Sequence, residues 1–343
     1  MAKSTQLYMV IGNTSLAVTH EVVPLKSVSL DAQNPRIRFL VQRRFGKKKP
    51  TAEELLDLIR GQPGYDGLQK AIRKTGGLHD PVIVRHDGTL VEGNSRVAVF
   101  KTLHRGNRSD QRWKAIPIVR LPKNTPENLV GLLMASYHVA GKTVWRPYAQ
   151  ADHIHQLRQV YKCSLEEIAD EVRMTTREVQ QYIDAYEYLV NEVLPKVANG
   201  DGADVLEGKF SHALEFMKLK KLESHRKDPE KRAHMAKLLV ENKIKGAEVR
   251  ELHGIFESEK ATQALKERGF KHAKEVLRAT NPIAGSQILK KVESVTKALN
   301  KLSQKDLTMF KTEAKAAQIL IDLHDAVRDV ASVAGMKLGA RNA

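Results

Sequence analysis

The stretch HDPVIVRHDGTLVEGNSRVAVFKTL, His79 to Leu103, decides the fold. Apolar and polar residues alternate from Pro81 to Arg85 and meet the turn dipeptide Asp87-Gly88, so the spacing predicts a β-hairpin that returns through Thr89 to Glu92. The period then changes. Val97, Ala98, Phe100 and Leu103 fall at helical spacing, which makes Gly93-Asn94-Ser95-Arg96 a strand-to-helix corner. Backbone N–H groups at such a corner favour an anion, Gly93 lets a phosphate approach closely, and the Arg96 guanidinium has the fork to grip it. Two readings stand at this point, a phosphate cradle and a purely structural corner.

Composition narrows the partners. The 343 residues allow two or three domains with a sizeable core, and 5% aromatic against 28% charged residues suits a helix-rich protein. A formal charge of +17 seeks a polyanion, with nucleic acid ahead of a membrane surface. No apolar run approaches the ~18 residues of a membrane span, and no secretory leader is expected ahead of Lys3. Cys163 is the single cysteine, which excludes an intrachain disulfide and leads to an expected cytoplasmic location.

Upstream of the corner, Leu7 to Ile11 is apolar-leaning, with a turn at Gly12-Asn13 and no assigned role. Val22 to Leu30 reads as an edge strand because Pro24 cannot donate to a central ladder. Arg36 to Lys49 carries seven Lys and Arg and no acid, so it reads as a solvated loop or as a phosphate-contacting arm. Thr51-x-x-Glu54 is a capping box opening a helix through Arg60, and a second helix near Leu68 to Lys74 closes at Gly76-Gly77. Downstream, Ala115 to Leu121 is a strand, Pro126 to His138 a helix, and Lys101 to Lys123 holds seven Lys and Arg against Asp110 alone.

In their order along the chain, Asn34-Pro35-Arg36, the amphipathic run from Glu53 to Ile59, Gly76-Gly77-Leu78-His79-Asp80-Pro81 and EGNSR resemble the N-terminal domain of ParB-type chromosome and plasmid partition proteins, a fold shared with sulfiredoxin. The resemblance implies that the Gly-x-x-Arg corner binds nucleotide phosphates, those of CTP or another nucleoside triphosphate. It assigns nucleotide binding to Arg36, Gly77, His79, Gly93, Asn94, Ser95, Arg96 and His138. Sulfiredoxin places its catalytic cysteine where this chain has Ser95, so the thiol chemistry is absent. The partition proteins also carry a Glu-Asn-x-x-Arg segment that serves the metal and the triphosphate. The matching positions here are Ala135 and Ser136, and without a carboxylate they cannot help hold Mg²⁺. Nucleotide hydrolysis is therefore doubtful even where nucleotide binding survives. His138, Lys142 and Trp145 supply stacking and charge in one reading; in the other, Trp145 anchors the domain junction and His138 is an ordinary surface residue.

The second half reads as helical. Pro147 begins a helix, Ser164-x-x-Glu167 and Thr175-x-x-Glu178 are capping boxes, and the small Ala169 suits a helix crossing, which together describe a helix-turn-helix. Its second helix presents Thr176, Arg177, Gln180 and Gln181 to a DNA groove. Arg173-Met174 stands where such turns favour glycine, and residues 151–190 hold four Lys and Arg against eight acids. A structural trihelical core or a protein contact is the competing reading. Lys209 to Arg250, with twelve Lys and Arg and six acids, is the richer source of phosphate contacts, and the resemblance extends to about residue 255. Beyond it, Ala261 to Ala279 reads as one basic helix, Asn281-Pro-Ile-Ala-Gly as punctuation, and Gln287 to Val333 as one long or two shorter helices.

The expected architecture is an α+β N-terminal ParB/sulfiredoxin-like domain over residues 20–145, an all-α helix-turn-helix domain over 146–255 and a helical C-terminal region over 256–343. The last either assembles a homodimer or caps the middle domain. The leading function is a ParB-like DNA-binding protein, responsive to nucleotide and acting in partition or related DNA maintenance. The alternatives are a metal-dependent nuclease or nucleotide hydrolase, with Glu92 and then Asp80 as the candidate carboxylate, and a transcriptional regulator with a vestigial cradle. CxxC, HExxH, Walker and G-x-S-x-G sequences are absent, and His153 and His155, two apart on a helix, point apart.

Overall fold

Side chains on a strand alternate between two faces, and in this sheet both faces are covered except over the first strand, which is largely exposed. A computed structural model describes residues 5–139, 145–197, 202–281 and 286–336. Its five strands are β1 (Thr5–Ile11), β2 (Thr14–Pro24), β3 (Val82–Val84), β4 (Leu90–Glu92) and β5 (Ala115–Arg120), in the sheet order β1-β2-β5-β3-β4. β3 and β4 form the antiparallel hairpin read from the sequence, and β5 lies parallel to β3. Val82, Val84, Leu90, Ile116 and Ile118 are buried with the helices α1 (Pro35–Phe45), α2 (Ala52–Arg60), α3 (Tyr65–Thr75) and α4 (Asn94–Gly106). The intervening Ile83, Val91, Val119 and Leu121 belong to a second core with α5 (Glu127–His138), α6 (Pro147–Gln159), α7 (Leu165–Val172) and α8 (Thr176–Tyr188). That second core runs without interruption from Ile11 to Ile183.

Three readings of the first half change. The strand that Val22 to Pro24 belongs to is not at the edge over its whole length: β2 sits between β1 and β5, and only its last residues have β5 alone beside them. Pro24 is tolerated because it ends β2, pairing with Ala115, while β1 as described pairs only as far as His20. The basic run from Arg36 is neither a loop nor an arm over its first part but the helix α1, capped by the Asn34 side chain, which accepts from the Arg36 N–H, with Pro35 at its first turn. The third helix begins at Tyr65, three residues before the position read from Leu68.

One charged contact ties α1 to the later helices. Arg38, 7% exposed, pairs with Asp152 on α6, and the second Asp152 oxygen accepts from Tyr186 OH on α8 at 2.9 Å. Removing Arg38 would leave a buried carboxylate uncompensated, a loss of about 3–5 kcal/mol.

Farther along lie α9 (Gly202–Lys218), α10 (Glu223–Lys227), α11 (Pro229–Val240) and α12 (Leu252–Phe256). The single basic helix read from Ala261 is two, α13 (Glu259–Arg268) and α14 (Phe270–Thr280), because Gly269 takes φ 83° between them. The chain divides into two compact units, residues 1–270 and 271–343. In the second, the span from Gln287 to Val333 is three helices rather than one or two: α15 (Gln287–Leu299), α16 (Gln304–Thr312), opened by a Ser303/Asp306 capping box, and α17 (Ala314–Val333). The Pro-Ile-Ala-Gly part of the punctuation falls at 282–285, outside the described residues.

His153 sits in the second core, its Nε2 2.8 Å from Gly131 O, and burial pushes its pKa down to about 4 from 6.5. Gly131 O accepts, so Nε2 carries the proton of a neutral ring. An unfolded chain takes up a second proton near pH 6.5, so as pH falls through the window from 6.5 to about 4 the unfolded state binds more protons and stability is lost. The full window is worth ~3 kcal/mol. The thermal midpoint should therefore fall more steeply between about pH 7.5 and about pH 5 in the wild type than in His153→Gln. Parallel pH profiles would contradict this.

Candidate functional site

Gly93 takes φ 109°, and a Cβ there would lie 2.5 Å from Val82 Cγ1, so only glycine fits the corner. β4 consequently runs straight into α4 with no capping side chain. The first turn closes with Val97 N–H donating to Gly93 O at 3.0 Å, which leaves the amides of Asn94, Ser95 and Arg96 without acceptors inside the helix. The corner opens on a cavity of about 330 Å³. Its walls are Asn34 and Arg36 at the start of α1, the Gln62-Pro63-Gly64-Tyr65 segment, residues 92–96, His138 and Trp145.

Arg36 is the cation that faces the corner. It donates from Nη1 to Ser95 Oγ at 3.5 Å and from Nη2 to Pro63 O at 3.4 Å, both long contacts. Burial and then the neighbouring Arg146 lower its pKa from the ordinary value, and no carboxylate offsets them. A guanidinium keeps its proton under such a load, so Arg36 brings to the site a positive charge that is in no ion pair among the described residues. Asn94 serves the backbone instead: Oδ1 accepts from Asp31 N–H at 3.0 Å and Nδ2 donates to Asp31 O at 2.8 Å, fixing the loop ahead of α1.

Arg96 differs from its sequence reading. Its guanidinium pairs with Glu92 one turn back and donates to Asp80 O at 2.7 Å and Pro81 O at 3.3 Å, so it is committed within the protein rather than held out to a phosphate. The same pair takes Glu92 away from the role of catalytic or metal carboxylate. Asp80 is exposed and outside the cavity lining, Ala135 is fully buried, and Ser136 Oγ donates to Leu133 O at 2.9 Å. One carboxylate already paired to an arginine does not make a Mg²⁺ site between phosphates, so the residues present do not fit that ion.

Aromatic groups close the opposite side. His138 is 8% exposed rather than an ordinary surface residue, because its ring stacks on Trp145 with centroids 4.5 Å apart and 16° between planes. Its Nε2 lies 3.9 Å from Glu92 Oε1. Trp145 meets His153 edge-on at 5.3 Å, and its buried indole Nε1 has no acceptor among the described residues. Gly77 and His79 do not line the cavity; Gly77 O accepts from Thr75 Oγ1 at 2.8 Å, and Arg96 donates to the Asp80 and Pro81 carbonyls that follow. Lys142 lies outside the described residues. The Gln62 to Tyr65 wall was legible only as a chain break, since nothing in its sequence marks the Pro63 carbonyl as a partner for Arg36.

The two capping boxes and the turn of the second candidate site are present. Ser164 and Thr175 each cap their helix, and Arg173 supplies the left-handed residue at φ 54° in place of glycine. Thr176, Arg177 and Gln180 are exposed and Gln181 is half-buried, while Gln180 Nε2 is already donated to Asp184 Oδ1 at 2.8 Å. His153 and His155 diverge as expected, the second lying 3.3 Å from Glu187 Oε1. Part of the basic charge between Lys209 and Arg250 is neutralised internally, as in Arg250–Glu215 at 2.9 Å and Lys243–Glu241 at 2.8 Å. Lys220 and Lys221 are exposed and in no ion pair among the described residues.

No family model and no curated protein matches the chain. Solved structures to which it is similar include ParB proteins and ParB N-domains. One is the C-terminally truncated chromosome-partitioning protein ParB from Caulobacter crescentus complexed to the centromeric parS site, 14% identical with a TM-score of 0.35 over 68% of this chain and 97% of that one. A Pnob8-like ParB-N domain is 13% identical with a TM-score of 0.27 over 97% of this chain and 98% of that one. The Caulobacter protein complexed with CTP-gamma-S is 14% identical with a TM-score of 0.21 over 64% of this chain and 98% of that one.

An anion brought to the corner would have to compete with Glu92 for Arg96. Glu92→Gln should release the guanidinium and tighten binding of inorganic triphosphate by roughly tenfold, about 1.4 kcal/mol, in a calorimetric titration. Weaker binding in the variant would mean that Glu92 supports the site rather than occupying its cation.

Proposed function

We propose that the chain is a DNA-binding protein of the partition kind whose first domain takes a nucleoside triphosphate, CTP or a close relative, in the cavity before α4. The observation that carries this reading is the convergence of an uncapped helix N-terminus and a carboxylate-free Arg36 on one cavity of about 330 Å³, within the size range of small-ligand sites. Amides and guanidinium hold the phosphate chain, and the His138–Trp145 stack offers a flat apolar wall for a base. Arg96 acts from inside, bracing the corner. No hydrolytic step is assigned, because Glu92 is the one carboxylate in the cavity lining and it is paired with Arg96.

DNA is met by the helical segment. Thr176, Arg177 and Gln180 are presented on α8, and Lys220 and Lys221 add exposed charge from the following basic region. The acids between 151 and 190 make this a site in which groove contacts count for more than bulk attraction. A second copy of the chain is the partner assigned to α15, whose exposed Ile288, Val292, Val295 and Leu299 repeat at helical spacing along one face.

Fluorescence anisotropy of labelled duplex DNA, titrated with and without each of the four ribonucleoside triphosphates, tests the main proposal. One nucleotide should shift the DNA affinity, Arg36→Ala should abolish that shift while leaving nucleotide-free binding in place, and Arg177→Ala should weaken DNA binding by about 1–3 kcal/mol. Affinity unmoved by every nucleotide would contradict the nucleotide reading, and affinity unmoved by Arg177→Ala the assignment of α8. Light scattering of the full chain should give a dimer, and Val292→Glu a monomer; a monomeric wild type would contradict the pairing.

A further inference from the structure

Away from the cavity, three side chains from two helices meet at one point. His225, on α10, is 3% exposed, and its Nε2 lies 3.3 Å from His253 Nδ1 on α12 and 3.1 Å from Glu257 Oε1 just beyond α12. The third edge, His253 Nδ1 to Glu257 Oε1, is 3.9 Å. Among the described residues this is the grouping of His, Cys, Asp and Glu whose ligand atoms all fall within 4.8 Å of one another. His253 and Glu257 are four residues apart, so both side chains leave one helix face, and His225 approaches from the other element.

We propose that His225, His253 and Glu257 form a binding site for a zinc-type divalent cation, with water as the fourth ligand. Zinc bonds of about 2.0–2.1 Å at tetrahedral angles place neighbouring ligand atoms roughly 3.3–3.4 Å apart. The three edges straddle that value, so a shift of a few tenths of an ångström in the exposed Glu257 and half-exposed His253 closes the triangle around an ion. Two imidazoles and a carboxylate suit zinc better than magnesium or calcium, which prefer all-oxygen shells. Lys231 Nζ, which can only donate, lies 3.2 Å from His225 Nδ1, so that nitrogen accepts and the ring is neutral, as a ligand must be.

Without the ion, the same atoms form a hydrogen-bond network in which His225 Nε2–H serves Glu257 and Nδ1 accepts from Lys231 Nζ at 3.2 Å. An ion at Nε2 moves the ring proton to Nδ1, and Lys231 then has to leave. It has a partner to go to, Asp228 Oδ2 at 3.7 Å. Metal and Lys231 therefore compete for one tautomer of His225. Bound metal would clip α10 to α12 within the basic helical segment.

Chelator-washed, untagged full chain titrated with zinc chloride in a calorimeter should bind one equivalent with micromolar or tighter affinity. His253→Ala and Glu257→Gln, both at accessible positions outside the core, should each weaken it at least tenfold while the metal-free variants still unfold in one cooperative transition. Lys231→Met, which removes the competitor, should tighten it several-fold. Cobalt(II) in place of zinc should give the visible absorption of a tetrahedral site in the wild type and lose it in His253→Ala. No saturable zinc binding, or binding equally strong in both ligand variants, would overturn the proposal and leave the cluster as a hydrogen-bond network.

Discussion

The close approach of Gly93 to Val82 is the constraint on which the first half of the molecule depends. A strand that turns directly into a helix has no room for a capping residue, and a Cβ 2.5 Å from a valine methyl forbids any side chain at the corner. One backbone requirement thus has three consequences. It leaves the opening amides of α4 free, sets Arg96 one turn from Glu92, and lets Asn94 reach back to both backbone groups of Asp31. The cavity is the space that this corner, the start of α1 and the Pro63 segment enclose between them.

Arg36 and Arg38 divide the work of one helix. Arg36 faces the cavity, while Arg38, two residues on, is buried against Asp152, whose other oxygen receives Tyr186 OH from the same helix as Arg177. The core on that side is continuous from the sheet to Ile183. A ligand that draws on Arg36 therefore pulls on a helix bonded to the candidate DNA-reading element through a buried ion pair. Contiguity of this kind supplies a route, and the coupling itself is the change in one affinity caused by the other ligand.

Much of this was readable from local patterns. Capping boxes at Thr51, Ser164 and Thr175, the turn at Asp87-Gly88 and the change of period at Gly93 all act within a few residues, and each produced the element it announced. What sequence could not show were the partners chosen across the chain. The run from Arg36 looked uniformly basic, yet Arg38 is buried in an ion pair with a residue 114 positions away, Arg36 faces the cavity with no ion pair among the described residues, and Arg43 reaches Asp204 at 2.9 Å. The Arg96 fork was legible as chemistry but its commitment to Glu92 was not, since a strand-end glutamate four residues before an arginine becomes its neighbour only when the corner folds tightly. His225 likewise joins the His253–Glu257 pair across a separation in sequence that carries no signal.

The central claim is that a triphosphate tail lies against Arg36 and the amides of α4, with Trp145 forming the wall beside it. The chain has two tryptophans, and Trp113 is buried in the other core against Phe100 at 5.2 Å. In a Trp113→Phe protein, emission therefore reports on Trp145 alone. A saturable change in that emission on adding a nucleoside triphosphate, lost when Arg36→Ala is introduced, is the predicted result; nucleotide binding detected by dialysis with Trp145 emission unmoved would contradict the account.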